Sequence, residues 1–264
     1  MESLSFLLMQ IAQAREPDHV WQLAVDYFRG LGFPLVNYGF TKFRSAKNIG
    51  DPDDAMFLTT GSAAYANTYF YQGFYAKTPA FRWVQSNDGA KTWTWIREAA
   101  LAGKLTDEEM ETLRVNAAMG IVAGLSISFP ETSSRAKGAM GLIAAPGMDH
   151  VDVDRIFEHN ESDMLSVAHM MHLKLIQLPI SGRRRRLTSR QCEALEWVAD
   201  GKTSQDVALL MGVSAAMVEK HLKLARETLC VETTSQAVAK ATLMNLIFLS
   251  AEGSSVNPLG IAAR

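Results

Sequence analysis

Cysteine is almost missing from this chain: Cys192 and Cys230 are the two among 264 residues, and no second pair stands by to complete a metal site. Both lie inside helical patterns with apolar neighbours, so buried thiols are expected. Long apolar runs are missing too. Ala139 to Pro146 is short and broken by Gly141, far from the ~18 to 20 residues that a membrane span needs. The apolar start, Met1 to Ile11, has no basic segment before it and no small-residue cleavage site, so no secretion signal is read and the cytoplasm is the expected compartment, with no membrane partner. A catalytic signature is lacking as well. No Ser or Cys nucleophile sits in a motif, the six histidines are scattered, and no catalytic residue is nominated. His169 and His172 are three apart on one helical pattern, but no third ligand follows, and packing or a dimer surface is the better reading. Neither a metal nor a cofactor is expected.

What is present is an ordinary globular composition, 48% hydrophobic and 20% charged, long enough for two domains. The net charge of −2 hides an asymmetry: residues 183 to 250 carry ten Lys/Arg against seven Asp/Glu, a balance of +3, which leaves −5 for the remainder. An acidic body joined to a basic module is expected where one end meets nucleic acid.

The first 175 residues mix periodicities. Helical patterns run over Leu4 to Ala14, Val20 to Leu31, Asp107 to Ala118 and Val153 to Leu178, with Asp149, Asp152 and Asp154 placed to begin the last of these. Strand patterns run over Leu35 to Phe43, Ala55 to Thr60, Lys91 to Ile96, Ile121 to Phe129 and Ala139 to Ala145, with a polar hairpin at Pro130 to Lys137. This predicts an α+β fold, an N-terminal α/β/α sandwich with a central antiparallel sheet. Pro179 then stops the long helix, and Gly182 with Arg183 to Arg186 forms an exposed basic linker able to touch phosphates.

Beyond the linker the chain turns to short helices with explicit caps. Thr188 with Gln191 opens a helix over Ser189 to Asp200, and Thr203 with Asp206 opens one over Ser204 to Met211 that Gly212 closes. Ser214 caps Ala215 to Leu229, and Thr234 or Ser235 opens a fourth helix through Leu249. Four short helices with a tight Gly212-Val213-Ser214 turn predict an all-α helix-turn-helix domain. Leu195, Val198, Val207, Leu210, Val218, Leu222 and Leu229 are its expected core.

Leu187-Thr188-Ser189-Arg190, Glu193, Leu195, Trp197, Ala199, Gly201-Lys202-Thr203, Val207-Ala208, Val213-Ser214, Val218, His221, Leu229, Val231 and Gln236 to Ala241 stand in ungapped register over about 60 residues. Together they resemble the LuxR-type helix-turn-helix. The resemblance implies double-stranded DNA as partner, with the third helix in the major groove. Glu219, Lys220 and Lys223 are then the base-facing candidates, and Lys202, Thr203, Ser214 and His221 the phosphate-facing ones. Met217 stands where the family usually has Thr, Leu224 for Asn, Thr228 for Lys and Thr234 for Arg. Losing two cations flattens the salt slope by about two units if both reach phosphates.

Gly32-Phe33, Tyr38-Gly39, Tyr65, Tyr69, Pro79, a tryptophan at Trp93 or Trp95, Gly120, Gly124, Pro130 and Gly138-Ala139 resemble, in order, the acyl-homoserine-lactone-binding domain of quorum-sensing LuxR-type receptors. That resemblance implies a pocket in which a Trp donates to the lactone carbonyl, a Tyr to the amide carbonyl, and an Asp accepts from the amide N–H. Spacing puts Tyr65, Tyr69 and Thr78 at these places. Thr78 offers a neutral hydroxyl for a carboxylate, a loss of roughly 1.5 to 3 kcal/mol, or about tenfold to hundredfold in affinity. Gly141 replaces a hydroxyl residue near the same pocket. The candidate ligand-binding set is Tyr38, Tyr65, Tyr69, Thr78, Phe81, Trp93 and Trp95; on a strand the two tryptophans would share a face. The other reading of Tyr65, Tyr69, Tyr71, Phe74, Tyr75 and Phe81 is an aromatic core without ligand.

The expected organisation is a sensor domain over 1–177, a basic linker over 178–186, a helix-turn-helix over 187–250 and a tail over 251–264. The expected partners are DNA, a second copy of the chain and an acyl-homoserine lactone or analogue. The departures also leave open a ligand-independent regulator or an inhibitory heterodimer partner of another LuxR-type protein.

Overall fold

A computed structural model describes residues 3–45, 49–179 and 187–248; the arginine run, Leu249 and the tail over 251–264 lie outside the described residues. The chain divides into two compact units, Met1–Arg184 and Arg185–Arg264. Among the described residues no helix is long and apolar enough to cross a membrane.

The first unit begins with α1 (Leu4–Gln13), capped by Ser3, whose hydroxyl accepts from the Phe6 N–H. It continues into α2 (Pro17–Gly30), where Pro17 occupies a first-turn position that needs no N–H. There follow β1 (Leu35–Thr41), β2 (Met56–Thr59), α3 (Ala63–Ala66), α4 (Pro79–Ser86), β3 (Gly89–Thr92), α5 (Thr94–Leu101), α6 (Asp107–Ala118), β4 (Gly124–Ser128), β5 (Lys137–Ile143) and α7 (His150–Leu175). Between α3 and α4 the chain winds through a π turn, Asn67–Tyr71, and a 3-10 turn, Phe74–Lys77.

The sheet has the order β2-β1-β5-β4-β3 with every pair antiparallel. Because side chains alternate along a strand, one cross-strand row, Tyr38, Met140 and Ile127, faces the long helix, where Tyr38 and Phe40 meet His172 of α7. The neighbouring row, Asn37, Gly141 and Ser126, faces the other way. α4 lies on that side: the Ser128 hydroxyl is 3.2 Å from the Val84 carbonyl and 2.6 Å from that of Asn87. Helices on both faces of an antiparallel sheet make the α/β/α sandwich that the periodicities predict.

One strand expectation fails. Lys91 to Ile96 is not a strand throughout: β3 ends at Thr92, Trp93 turns the chain, and Trp95 and Ile96 belong to α5. The Trp93 N–H still bonds the Gly124 carbonyl at 2.8 Å, closing the strand before the helix starts. The two tryptophans therefore do not share a strand face. α7 begins at His150, earlier than the pattern from Val153 suggests, because Asp149 accepts from the Val151 and Asp152 N–H groups and Asp152 bonds back. Asp154 instead accepts from Thr94 at 2.8 Å.

The second unit is α8 (Ser189–Ala199), α9 (Ser204–Met211), α10 (Ala215–Leu229) and α11 (Thr234–Leu243). Capping boxes Thr188/Gln191 and Thr203/Asp206 open α8 and α9, Gly212 in the left-handed region ends α9, and Ser214 caps α10. The cap of α11 is Thr233, paired with Gln236, rather than Thr234 or Ser235. Leu195, Val207, Val218, Leu222 and Leu229 are buried and Val198 packs on them, but Leu210 is 49% exposed. Met211 fills that place, since on a helix Val207, Ala208 and Met211 share the inward stripe and Leu210 is turned from it. Cys230 is exposed, not buried: it terminates α10 at φ 52, a reversal that puts it at the surface.

Candidate functional site

The aromatic segment between β2 and α4 walls a cavity against the polar row of the sheet. The larger part, about 100 Å³, is bordered by Asn37, Gly39, Phe57, Tyr69, Tyr75, Phe81, Trp93, Ser126 and Gly141, among others. A smaller part of about 30 Å³ shares Asn37, Tyr69, Ala80, Trp93 and Ile143 with it and adds Tyr65, Thr78, Leu113 and Asn116. Tyr65 stacks on Tyr69 at 5.2 Å with a 12° interplanar angle, Phe57 on Phe70 at 4.6 Å, and Phe81 meets Tyr75 edge-on at 4.9 Å. Among the described residues no Asp or Glu borders either part. Lys137 does, and its ammonium bonds Asp88 at 2.8 Å.

The polar groups form a directed chain. Thr59 donates to the Asn37 carbonyl oxygen at 2.7 Å, and the Asn37 amide donates to the Tyr65 hydroxyl at 2.7 Å. Tyr65 thereby accepts with its oxygen and keeps its proton to give. Burial pushes its pKa up to about 12, against the hydrogen bond from Asn37, and burial pushes Tyr75 up to about 12 as well. Tyr69 is held well above the ordinary phenol range, by burial first and then by the neighbouring Tyr65 and Tyr75 phenols. All three are neutral donors at any physiological pH.

Of the seven sequence-predicted ligand residues, Tyr65, Tyr69, Thr78, Phe81 and Trp93 come together around this space. Trp93, at the start of α5, donates its indole N–H to Ser126 at 2.9 Å. Thr78 spends its hydroxyl on the backbone as the cap of α4, donating to the Tyr75 carbonyl at 2.8 Å and accepting from the Phe81 N–H at 3.2 Å. Trp95 borders neither part and lies 5.4 Å beneath the Lys91 ammonium. Tyr38 borders the larger part, but its hydroxyl is 2.9 Å from His172 Nδ1, on the face packed against α7. His172 also stacks on Phe129 at 4.1 Å and reaches Glu131 at 3.1 Å. Among the described residues no cluster of three metal-ligating groups forms.

Sequence reasoning overlooked Asn37, Ser126 and Asn116. Asn37 and Ser126 were accessible through strand alternation, as polar residues at the inward positions flanking Gly39 and Ile127. Asn116 gives no such signal, being one polar residue on an amphipathic helix. Its Oδ1 is buried without a hydrogen-bond partner among the described residues, a state that costs about 1 to 3 kcal/mol.

In the second unit the exposed side of α10 presents Met217, Glu219, Lys220, Lys223 and Leu224. Lys223 lies 3.9 Å from Glu227, and Glu219 accepts from Ser204 at 2.5 Å. Lys202 is exposed, His221 half-buried, and the Thr203 hydroxyl is tied to Asp206 at 2.7 Å, with Ser214 accepting from the Met217 N–H at 3.2 Å. Thr234, which stands for a cation, receives Arg226 at 2.8 Å, while Lys240 bonds the Leu229 carbonyl at 2.9 Å. These two basic residues fasten the end of α10 to α11.

A cavity-bearing α/β/α unit followed by a four-helix helix-turn-helix unit defines a DNA-binding transcription regulator with a small-molecule-binding domain. Residues 16–175 match the model of the autoinducer binding domain, and residues 185–241 that of the bacterial regulatory proteins of the luxR family. The chain belongs to this family of quorum-sensing LuxR-type regulators. It is 32% identical over 120 residues to the HTH-type quorum sensing-dependent transcriptional regulator RpaR of Rhodopseudomonas palustris, a match spanning 46% of this chain and 40% of that protein. It is 21% identical over 245 residues to the transcriptional activator protein AnoR of Acinetobacter nosocomialis, covering 91% of this chain and 97% of that one. The crystal structure of Escherichia coli SdiA shares the fold, with a TM-score of 0.54 at 17% identity over 93% of this chain and 98% of that one.

Proposed function

We propose that the N-terminal domain senses a neutral acylated molecule, an acyl-homoserine lactone or a related apolar signal, and that a homodimer of the chain couples this to binding of double-stranded DNA. The observation that carries the reading is the composition of the cavity: aromatic walls, three neutral phenol donors and no bordering carboxylate. Such a lining favours a carbonyl-bearing head group with an apolar tail and disfavours cations, which would leave water without a compensating charge. A structure of SdiA is a complex with octanoyl-rac-glycerol, and CepR2 from Burkholderia cenocepacia, of the same fold at 15% identity and a TM-score of 0.50 over 65% of this chain and 93% of that one, is described as N-acylhomoserine lactone dependent. Both ligand types present carbonyls beside an alkyl chain.

In this reading the sensor runs over 1–177, the linker over 178–186 and the helix-turn-helix over 187–250. Tyr65 and Tyr69 donate to ligand carbonyls, and Lys220 and Lys223 of α10 meet DNA. The test is the melting temperature of the full chain with N-butanoyl-, N-octanoyl- and N-dodecanoyl-homoserine lactone and with octanoylglycerol. A ligand at a hundredfold excess over its Kd adds about 2.7 kcal/mol, roughly 5 to 10 °C for a domain of this size. A folded protein that none of the four shifts would sink the sensor reading and favour a ligand-independent regulator or an inhibitory heterodimer partner.

A further inference from the structure

We infer that Asn116 is the acceptor for the ligand's amide N–H, supplying from α6 what the neutral Thr78 does not supply from the start of α4. This rests on the sensor reading above and specifies its head-group chemistry. Thr78 and Asn116 border the same small part of the cavity, together with Tyr65, Tyr69 and Trp93. The Thr78 hydroxyl has its proton on the Tyr75 carbonyl and one lone pair on the Phe81 N–H. Its second lone pair could take a further N–H only beside those two bonds, on an oxygen already engaged twice. The Asn37 carbonyl oxygen already accepts from Thr59, and the Ser126 hydroxyl already accepts from Trp93. Asn116 Oδ1 is different: it is buried and has no hydrogen-bond partner among the described residues. A carboxamide oxygen is a strong neutral acceptor, and Asn116 borders a space that the phenol donors Tyr65 and Tyr69 also border.

The complementary ligand is therefore a neutral secondary amide, with its N–H on Asn116 and its carbonyl on a tyrosine proton. A carboxylate acceptor would also attract ammonium or guanidinium head groups; the carboxamide accepts the same N–H without doing so. Selectivity for neutral amides over both cations and esters follows from the exchange.

The test uses the full chain and paired probes: the three N-acyl-homoserine lactones above and their O-linked counterparts, the 2-acyloxy-γ-butyrolactones, in which an ester oxygen replaces the N–H. Wild type is expected to bind the best amide about tenfold or more tighter than its ester, the effect of one buried hydrogen bond. In Asn116→Leu the amide should weaken to the level of the ester and the ester should stay within about twofold. Asn116→Asp, nearly isosteric, should keep or increase the preference for the amide and thereby guards against a folding defect in the leucine variant, which the melting temperature without ligand also reports. Equal binding of amide and ester by wild type, or a preference that survives in Asn116→Leu, overturns the assignment of Asn116 and leaves the sensor reading standing. No binding of either member of any pair overturns the sensor reading and this assignment together.

Discussion

At the scale of single residues, the cavity floor is decided by what is missing from β5. Gly141 pairs with Asn37 on one side and Ser126 on the other. A Cβ built there would meet nothing nearer than 3.9 Å, the Asn37 and Ile143 side chains. The vacant volume opens into the cavity that Gly141 borders. Gly141→Ala should therefore raise the stability of the empty protein by about 0.4 to 1 kcal/mol, by restricting the unfolded chain. It should lower ligand affinity, because the new methyl occupies ligand space. Melting curves with and without the best-binding lactone report both; a lower melting temperature without ligand would show that the strand has no room there. Gly138, three residues earlier, is the contrast, since a Cβ there would lie 2.5 Å from His172 Cε1. Residue spacing nominated Tyr65, Tyr69 and Thr78, which border one space in the structure. It could not find how Thr78 uses its hydroxyl, because a cap depends on where α4 starts, and that helix has too few residues to show a period.

Among elements, α6 connects the cavity to the surface ionic network. Its first turn is closed by the Thr106/Glu109 capping box, and Glu109 also receives Arg82 of α4 at 2.6 and 3.3 Å. Burial pushes the Glu109 carboxyl up, but the bonds from Arg82 and the Thr106 N–H outweigh it and leave the pKa below the ordinary value of 4.5. A depressed carboxyl stabilises the fold above its unfolded pKa, and that contribution disappears as the pH falls through the folded value. Glu109→Gln should thus cost up to about 1 kcal/mol near neutrality and flatten the acid side of the stability profile. Urea midpoints from neutral pH down through the carboxylate range measure this, and a variant curve parallel to wild type would exclude Glu109 as a source of the acid dependence. The helices with capping signals, α8, α9 and α10, were readable nearly to the residue, because Thr/Gln, Thr/Asp and Gly212 state their ends chemically. The region of the π turn and α4 was not, since aromatic residues there are spaced by the cavity they wall and not by a surface helix.

For the whole molecule, the division into an acidic body and a basic module bears on DNA affinity. Lys202→Ala should reduce the salt slope by about one unit on every DNA sequence, as for a phosphate contact. Lys223→Ala should instead cost about 1 to 3 kcal/mol on a cognate site. Titrations of the cognate site and random duplex at several salt concentrations separate the two, and an equal loss on both duplexes would make Lys223 a phosphate contact. The fold class and the bipartite organisation were legible because they depend on long periodicities and on charge summed over many residues. The floor of the cavity was not, because it depends on which strand residues are opposite one another, and register is a tertiary property.

The cavity's size has a consequence for signalling. At about 100 and 30 Å³ its two parts fall short of the roughly 300 to 1,000 Å³ typical of sites for drug-sized ligands. The stacked rings of Tyr65 on Tyr69 and of Phe57 on Phe70 stand in its wall. On the sensor reading, a ligand larger than this space binds only an open form in which those rings have parted. Its apparent dissociation constant is the intrinsic one divided by the occupancy of that open form. On that reading, the concentration at which the regulator responds depends on how tightly the aromatic side chains hold one another as well as on what the signal itself touches.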